Sequence, residues 1–131
     1  RLEEESNKIS LDYRKKLTLF VMHYVVKQFS EAKEAPDFDM IQQESKLPYR
    51  LLQSIVSNLE NAKLVSVLKN EQYHKPRYQP AADTDLLSID YINQALEHYG
   101  MDADIKPPDK KVYQEIDKLT FPKESRLLKN L

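Results

Sequence analysis

The sequence predicts a mainly helical domain that carries one small β-hairpin, arranged as a winged helix-turn-helix. An amphipathic helical pattern comes first and leads into two short helices, which are joined by a turn of about three residues. Two β-rich segments, 64–68 and 77–80, follow these helices, and another helical pattern comes after them. The order helix, helix, helix, strand, strand, helix is that of a winged-helix domain.

The first predicted helix spans about residues 11–30. Ser10 suits its N-cap, because a serine hydroxyl can accept a hydrogen bond from an amide of the first turn. His23 interrupts the apolar pattern and indicates a core or interface residue rather than a metal ligand. Apolar residues recur at spacings of three and four, and we expect the face that they form to be buried: Leu17, Phe20, Val21, Tyr24, Val25 and Phe29.

The second and third predicted helices form the helix-turn-helix. Asp39 and Gln42, three residues apart, match a capping box and open a second helix at about 39–45. Pro48 suits the first turn of a third helix at about 48–62, where its missing N–H would have no helical partner anyway. We expect the third helix to pack on the first through its apolar face: Leu51, Leu52, Ile55, Val56 and Leu59.

The stretch YHKPRYQPAAD, residues 73–83, forms the tip and return strand of the predicted hairpin, which would be the wing of the fold. Side chains alternate between the two faces of a strand, so Tyr78 should point inward. We expect three neighbours to face solvent: His74, Lys75 and Arg77. A short strand at Asp37 and Phe38, before the second helix, would pair with this hairpin.

A fourth helix, capped by Ser88 and stopped at Gly100, is predicted after the hairpin. These boundaries divide the chain into a flexible lead-in over 1–9, a winged-helix domain over 10–100 and a proline-broken tail over 101–131. The tail has few apolar anchors, so we expect it to add little to the stability of the domain. Its apolar spacing predicts short helical segments: Val112, Ile116 and Leu119.

The composition excludes several kinds of chemistry. The chain has no cysteine and one glycine, which leaves no thiolate ligand, thiol nucleophile, disulfide or glycine-rich phosphate loop. Its three histidines show no metal-ligand spacing, and the acidic stretch DTDLLSID lacks the spacing and glycine of a calcium loop. The sequence therefore indicates no metal site, no cofactor and no catalytic residue, and it does not indicate an enzyme.

The solvent side of the third helix and the wing offer candidate contacts for nucleic acid or for a protein partner. These candidates are Tyr49, Arg50, Ser54, Tyr73, His74, Lys75 and Arg77. With 20 basic and 21 acidic residues, however, the chain carries a net charge of −1. Tight DNA complexes need many phosphate contacts, and the third helix and the hairpin offer four cations: Arg50, Lys69, Lys75 and Arg77. On this ground we expect that the wing does not clamp nucleic acid and that nucleic acid is not a partner.

Two stretches, ISLDYRKKLTLFVMHYVVKQF and YQPAADTDLLSIDYINQALEHYG, resemble the cytoplasmic C-terminal region of the YihY / virulence factor BrkB family. These are bacterial integral membrane proteins long labelled ribonuclease BN. The resemblance covers about residues 9–100, and the opening Arg1 in place of a methionine fits a piece cut from a longer protein.

The YihY/BrkB resemblance implies a soluble regulatory or protein-interaction module on the cytoplasmic side of the bacterial inner membrane. Its partners would be the membrane part of the same chain, another protein or a second copy in a homodimer. Three cations of the first helix would approach the membrane surface: Arg14, Lys15 and Lys16.

The element order also resembles that of the Rrf2-type winged-helix regulators, so a DNA-binding transcription regulator is the alternative function. Rrf2-type regulators that hold an iron–sulfur cluster use cysteines, which this chain lacks, and their wings usually carry glycines, which LKNEQYHKPRY lacks. A third function, RNA processing, follows only from the ribonuclease label. Hydrolysis would need convergent carboxylates or a histidine pair, and the sequence shows neither.

Overall fold

The computed structural model describes residues 9–99, 110–120 and 124–131. A two-stranded antiparallel hairpin follows three helices, which confirms the predicted fold class, mainly helical with a small β-hairpin. The predicted stop at Gly100 and all of the predicted lead-in except Ile9 lie outside the described residues. The elements, in chain order, are α1 (Leu11–Ser30), α2 (Phe38–Ser45), α3 (Tyr49–Asn61), β1 (Val65–Leu68), β2 (Arg77–Pro80), α4 (Ile89–His98), α5 (Lys110–Thr120) and a 3-10 helix (Leu128–Asn130).

Side-chain caps begin three of the helices. The hydroxyl of Ser10 accepts from the amide three residues on (3.1 Å), and Ser88 does the same at α4 (3.0 Å), as predicted. The predicted cap of α2 at Asp39 is wrong, because Asp37 accepts from the Met40 amide (2.9 Å) and the helix begins at Phe38. Residue 37 has extended backbone and pairs with the hairpin, so the helix can begin directly after it.

The hairpin is joined to the segment before α2. Within the hairpin, Val65 lies opposite Pro80, and Leu68 lies opposite Arg77. Asp37 forms a single antiparallel bridge with Arg77, and the Tyr78 amide donates to the Pro36 carbonyl (2.9 Å). The expected pairing of this segment with the hairpin is therefore present as one bridge, and it places the wing against the start of α2.

The core includes the whole predicted face of α3, but the buried face of α1 differs from the predicted one. On α1, Phe20 and Phe29 are exposed (46% and 52%), so their predicted burial is wrong. The buried residues of α1 are Thr18, Val21, Met22, Val25 and Val26. Between residues 17 and 26, apolar side chains lie on all sides of this helix, so its packing against α2, α3, β2 and the 3-10 helix selects the buried face.

His23 lies on α1 and is half-buried. Its Nε2 atom is buried and has no hydrogen-bond partner within the described residues. Burial lowers the pKa of His23, and the nearby Lys27 charge lowers it further, while Glu31 opposes this shift. These effects favour the neutral imidazole.

The C-terminal residues pack against the beginning of α4. The amide of Leu128 donates to the Leu87 carbonyl (3.0 Å), and the amide of Ile89 donates to the Arg126 carbonyl (2.9 Å). The side chain of Leu128 is 1% exposed and belongs to the core. Leu128 is an apolar anchor that the sequence pattern did not reveal. We therefore expect the C-terminal segment to stabilise the domain, in place of the expectation that the whole tail adds little stability.

Candidate nucleic-acid interface

Helix α3 is fixed on the core so that its polar side faces solvent. Lys46 ends α2 in the left-handed conformation (φ 57°), and its amide donates to the Gln42 carbonyl (2.7 Å). The chain then turns at Pro48, which precedes α3. Burial of the apolar face of α3 sets the rotation of this helix. The opposite side exposes Tyr49, Arg50, Gln53, Ser54 and Ser57.

Three of the predicted contact residues lie on this exposed side of α3. The ring of Tyr49 is 52% exposed and packs at a tilt on Phe38, with 5.2 Å between ring centroids. Ser54 is engaged within the fold, because its Oγ accepts from Arg14 Nη2 (2.6 Å). Arg50 is the one cation of α3, and it has no ion-pair or hydrogen-bond partner in the part of the chain that the structure describes. Its guanidinium is therefore free to bind a ligand.

The other four predicted contacts lie on the wing. His74 and Lys75 are exposed, as predicted, and Lys75 forms an ion pair with Asp39 at the start of α2. That hydrogen bond and charge raise the pKa of Lys75 above its ordinary value. Tyr73 is half-buried, and its ring centroid lies 5.1 Å from the guanidinium carbon of Arg77.

The prediction that Arg77 faces solvent is wrong. Its side chain is 19% exposed and forms an ion pair with Glu34 (2.7 Å). It also donates to the Ala35 carbonyl (2.6 Å). The bridge between residues 37 and 77 brings the loop before α2 against this side chain, which no local pattern could show. Tyr78 packs against the core, as predicted, and burial raises the pKa of its phenol.

Glu34 and Asp39 belong to this surface, although the sequence pattern did not single them out as partners of the wing. Each lies far along the chain from the wing cation that it binds, so neither helical nor strand periodicity could pair them. Their two negative charges face the positive charges of Lys75 and Arg77. In the free protein the wing is therefore locally close to neutral.

The three cations expected near a membrane are bound within the protein. Arg14 donates to Ser54, Lys15 pairs with Glu97 (2.6 Å), and Lys16 pairs with Asp12 (3.1 Å). Among the described residues, no three His, Asp or Glu side chains are grouped so that they could hold a metal ion. The exposed side of α3 and the adjacent wing together form the candidate interface.

No family model and no curated protein matches the chain. Solved structures do share its fold. CymR of Staphylococcus aureus in its oxidised form is 20% identical with a TM-score of 0.59, over 92% of this chain and 94% of that one. CymR (YrzC), the global cysteine regulator of B. subtilis, is 22% identical with a TM-score of 0.55, over 86% and 84%. IscR of T. potens is 17% identical with a TM-score of 0.56, over 86% and 75%.

These similarities overturn the expected relation to the YihY/BrkB family. The fold of nearly the whole chain is shared with CymR and IscR, and no family model supports the resemblance. The interpretation as a regulatory module of an inner-membrane protein is therefore wrong. The RNA-processing interpretation rested only on the ribonuclease label of the same family, so it is withdrawn as well. None of the described helices has both the length and the apolar character that a bilayer span requires. Attachment to the inner membrane rested on the same resemblance and is withdrawn.

The expectation that nucleic acid is not a partner is also wrong. It rested on the net charge of the chain, −1, and on the small number of cations on the third helix and the wing. The fold shared with CymR and IscR is the winged helix-turn-helix, in which a recognition helix can enter the major groove. In this chain α3 is the second helix of the helix-turn-helix, and its exposed side carries Arg50, which has no partner among the described residues.

Proposed function

We propose that this chain is a DNA-binding winged-helix transcription regulator of the Rrf2 type. The observation that carries the proposal is the exposed polar side of α3, on which Arg50 has no partner among the described residues. The similarity in fold to a global cysteine regulator and to IscR supports the same function. This chain has no cysteine, so cysteine ligation of a cluster and thiol oxidation are not available to it.

In this function α3 reads the bases. Arg50 lies in the first turn of α3, and the N-terminal residues of a recognition helix contact base edges in the major groove. An arginine can donate two hydrogen bonds to a guanine, and a glutamine can pair in the same way with an adenine. Arg50 and Gln53 are three residues apart and both exposed, so they can approach neighbouring bases. The wing would contact the adjacent backbone through Tyr73, His74 and Lys75.

The wild-type protein should select a preferred sequence from random duplexes of about 30 base pairs and bind it in a salt-sensitive manner. Arg50→Ala should weaken binding by roughly 5- to 150-fold and relax the preference at one base pair. Fluorescence anisotropy at about 0.15 M salt measures the affinity, and repeated selection with the variant measures the preference.

Arg126→Ala is the matched control, since Arg126 is exposed, pairs with Glu124 and lies beside the start of α4, not on α3 or the wing. It should bind as the wild type does. If the wild type forms no salt-sensitive complex at micromolar protein, the proposed function is wrong. If Arg50→Ala and Arg126→Ala weaken binding equally, α3 is not the recognition helix.

We also propose that the protein acts as a homodimer through α5. One side of this charged helix carries four exposed apolar side chains: Val112, Tyr113, Ile116 and Leu119. Their spacing forms one stripe, and an apolar stripe at the surface is typical of a protein interface. Dimeric helix-turn-helix proteins bind two half-sites about one turn of DNA apart, so a second copy would present a second α3.

Sedimentation equilibrium should therefore show a dimer, which Leu119→Asp should convert to monomer because it places a charge in the apolar stripe. The control is Gln114→Asp, which adds the same charge on the opposite side of α5 and should leave the dimer intact. A monomeric wild type at about 100 μM, where even weak dimers associate, would contradict this assignment.

A further inference from the structure

Two cations of the wing, Lys75 and Arg77, are held by acidic residues of the chain in unequal ways. Lys75 and Asp39 form their ion pair with both side chains well exposed (59% and 60%). Arg77 instead has a largely covered side chain, bound by Glu34 and the Ala35 carbonyl. Exposed ion pairs are weak and open readily in water. Lys75 can therefore leave its partner easily, whereas Arg77 is fixed by several contacts.

Asp39 lies where DNA would approach. It is in the first turn of α2, the first helix of the helix-turn-helix, and in such domains this helix crosses the DNA backbone. A carboxylate resembles a phosphate group in charge and in accepting hydrogen bonds from an ammonium. When a DNA phosphate approaches the wing, Lys75 is therefore already bound to the Asp39 carboxylate, a group of similar charge and hydrogen-bonding capacity.

We propose that Asp39 competes with DNA phosphate for Lys75, so that DNA binding exchanges this intramolecular ion pair for a phosphate contact. Arg77 does not take part in the exchange; it is a positioning residue that holds the wing on the segment before α2. The inference rests on the proposed DNA-binding function and adds to it a residue, Asp39, that lowers affinity without reading sequence. In the free protein the Asp39 carboxylate then offsets the charge of Lys75.

A double-mutant cycle tests the competition. Affinity for a mixed-sequence duplex of about 30 base pairs is measured by anisotropy between about 50 and 200 mM salt. Asp39→Asn should tighten binding by about 1.5- to 5-fold, because Lys75 no longer has to leave a charged partner. Lys75→Ala should weaken binding. It should also reduce by about one the salt slope, which is the slope of the logarithm of the binding constant against the logarithm of the salt concentration. In the Lys75→Ala background, Asp39→Asn should tighten binding much less, because only the repulsion between the Asp39 carboxylate and DNA phosphate is then removed.

Variants of the second ion pair test the positioning role. Arg77→Gln and Glu34→Gln should each weaken binding, because the wing loses its attachment, but they should leave the salt slope unchanged. This unchanged slope distinguishes a positioning residue from one that contacts phosphate. A slope reduced by about one in Arg77→Gln would overturn the assignment, and melting temperatures show whether each variant is folded.

Glu71→Gln is the control for a simple loss of negative charge, since Glu71 is exposed in the hairpin turn and has no partner among the described residues. It should change affinity much less than Asp39→Asn does. Equal tightening by Asp39→Asn with and without Lys75 would show charge repulsion alone and overturn the competition, as would an unchanged slope in Lys75→Ala. A wild type that binds no duplex would instead refute the proposed function itself.

Discussion

Ile55→Ala is expected to lower the free energy of unfolding by about 2–5 kcal/mol. Ile55 is 0% exposed and lies in the core on the side of α3 that faces away from solvent. Removing three carbons there loses burial of apolar surface and leaves a cavity that a packed core fills only in part. Denaturation in urea, followed by circular dichroism, measures this change.

Leu86→Ala is the matched control, because Leu86 is 57% exposed and its truncation removes little buried surface. This change should stay within about half a kcal/mol of the wild type. If Ile55→Ala were equally mild, the rotation of α3 would differ from the one described. The exposed side that carries Arg50 would then not be the recognition surface either, so this stability measurement also tests the proposed interface.

Leu128→Ala is also expected to cost about 2–5 kcal/mol, and to lower the melting temperature by roughly 10 °C or more. Leu128 is 1% exposed and packs in the core, and its backbone is bound to Leu87. Deletion of residues 127–131 should have an effect at least as large. Differential scanning calorimetry on the same samples gives both the midpoint and the enthalpy.

Leu131→Ala provides the control in the same segment, since Leu131 is 55% exposed. The midpoint of its thermal unfolding should match that of the wild type. Should Leu128→Ala also leave the midpoint unchanged, the C-terminal segment would be peripheral, and the sequence-based expectation of a tail with little effect on stability would stand after all.

Local information in the sequence determined most of the architecture. Ser10 and Ser88 cap the predicted helices, because an N-cap interaction involves only residues two or three apart. The apolar spacing of α3 predicted its buried face, since polar residues occupy its other side and leave one orientation. Alternation along β2 likewise placed Tyr78 toward the core. From these elements the winged-helix order followed.

Tertiary contacts alone decided the other features. The apolar residues of α1 surround the helix, so its neighbours, not its periodicity, buried Met22 and left Phe20 exposed. Leu128 lies in the core because its segment hydrogen-bonds to Leu87 and Ile89 at the beginning of α4, and no local pattern in the proline-broken tail predicts this long-range contact.

The pairing of the wing cations also depends on the fold. Asp39, in the first turn of α2, and Lys75 are separated along the chain by the rest of α2 and by all of α3 and β1. They meet because the bridge at residue 37 brings the hairpin to the start of α2. Net charge counts both residues without recording that they are paired, and so it could not predict how the wing presents its charge to DNA. The physical reason is that electrostatic contacts depend on distance in space, which periodicity along the chain does not contain.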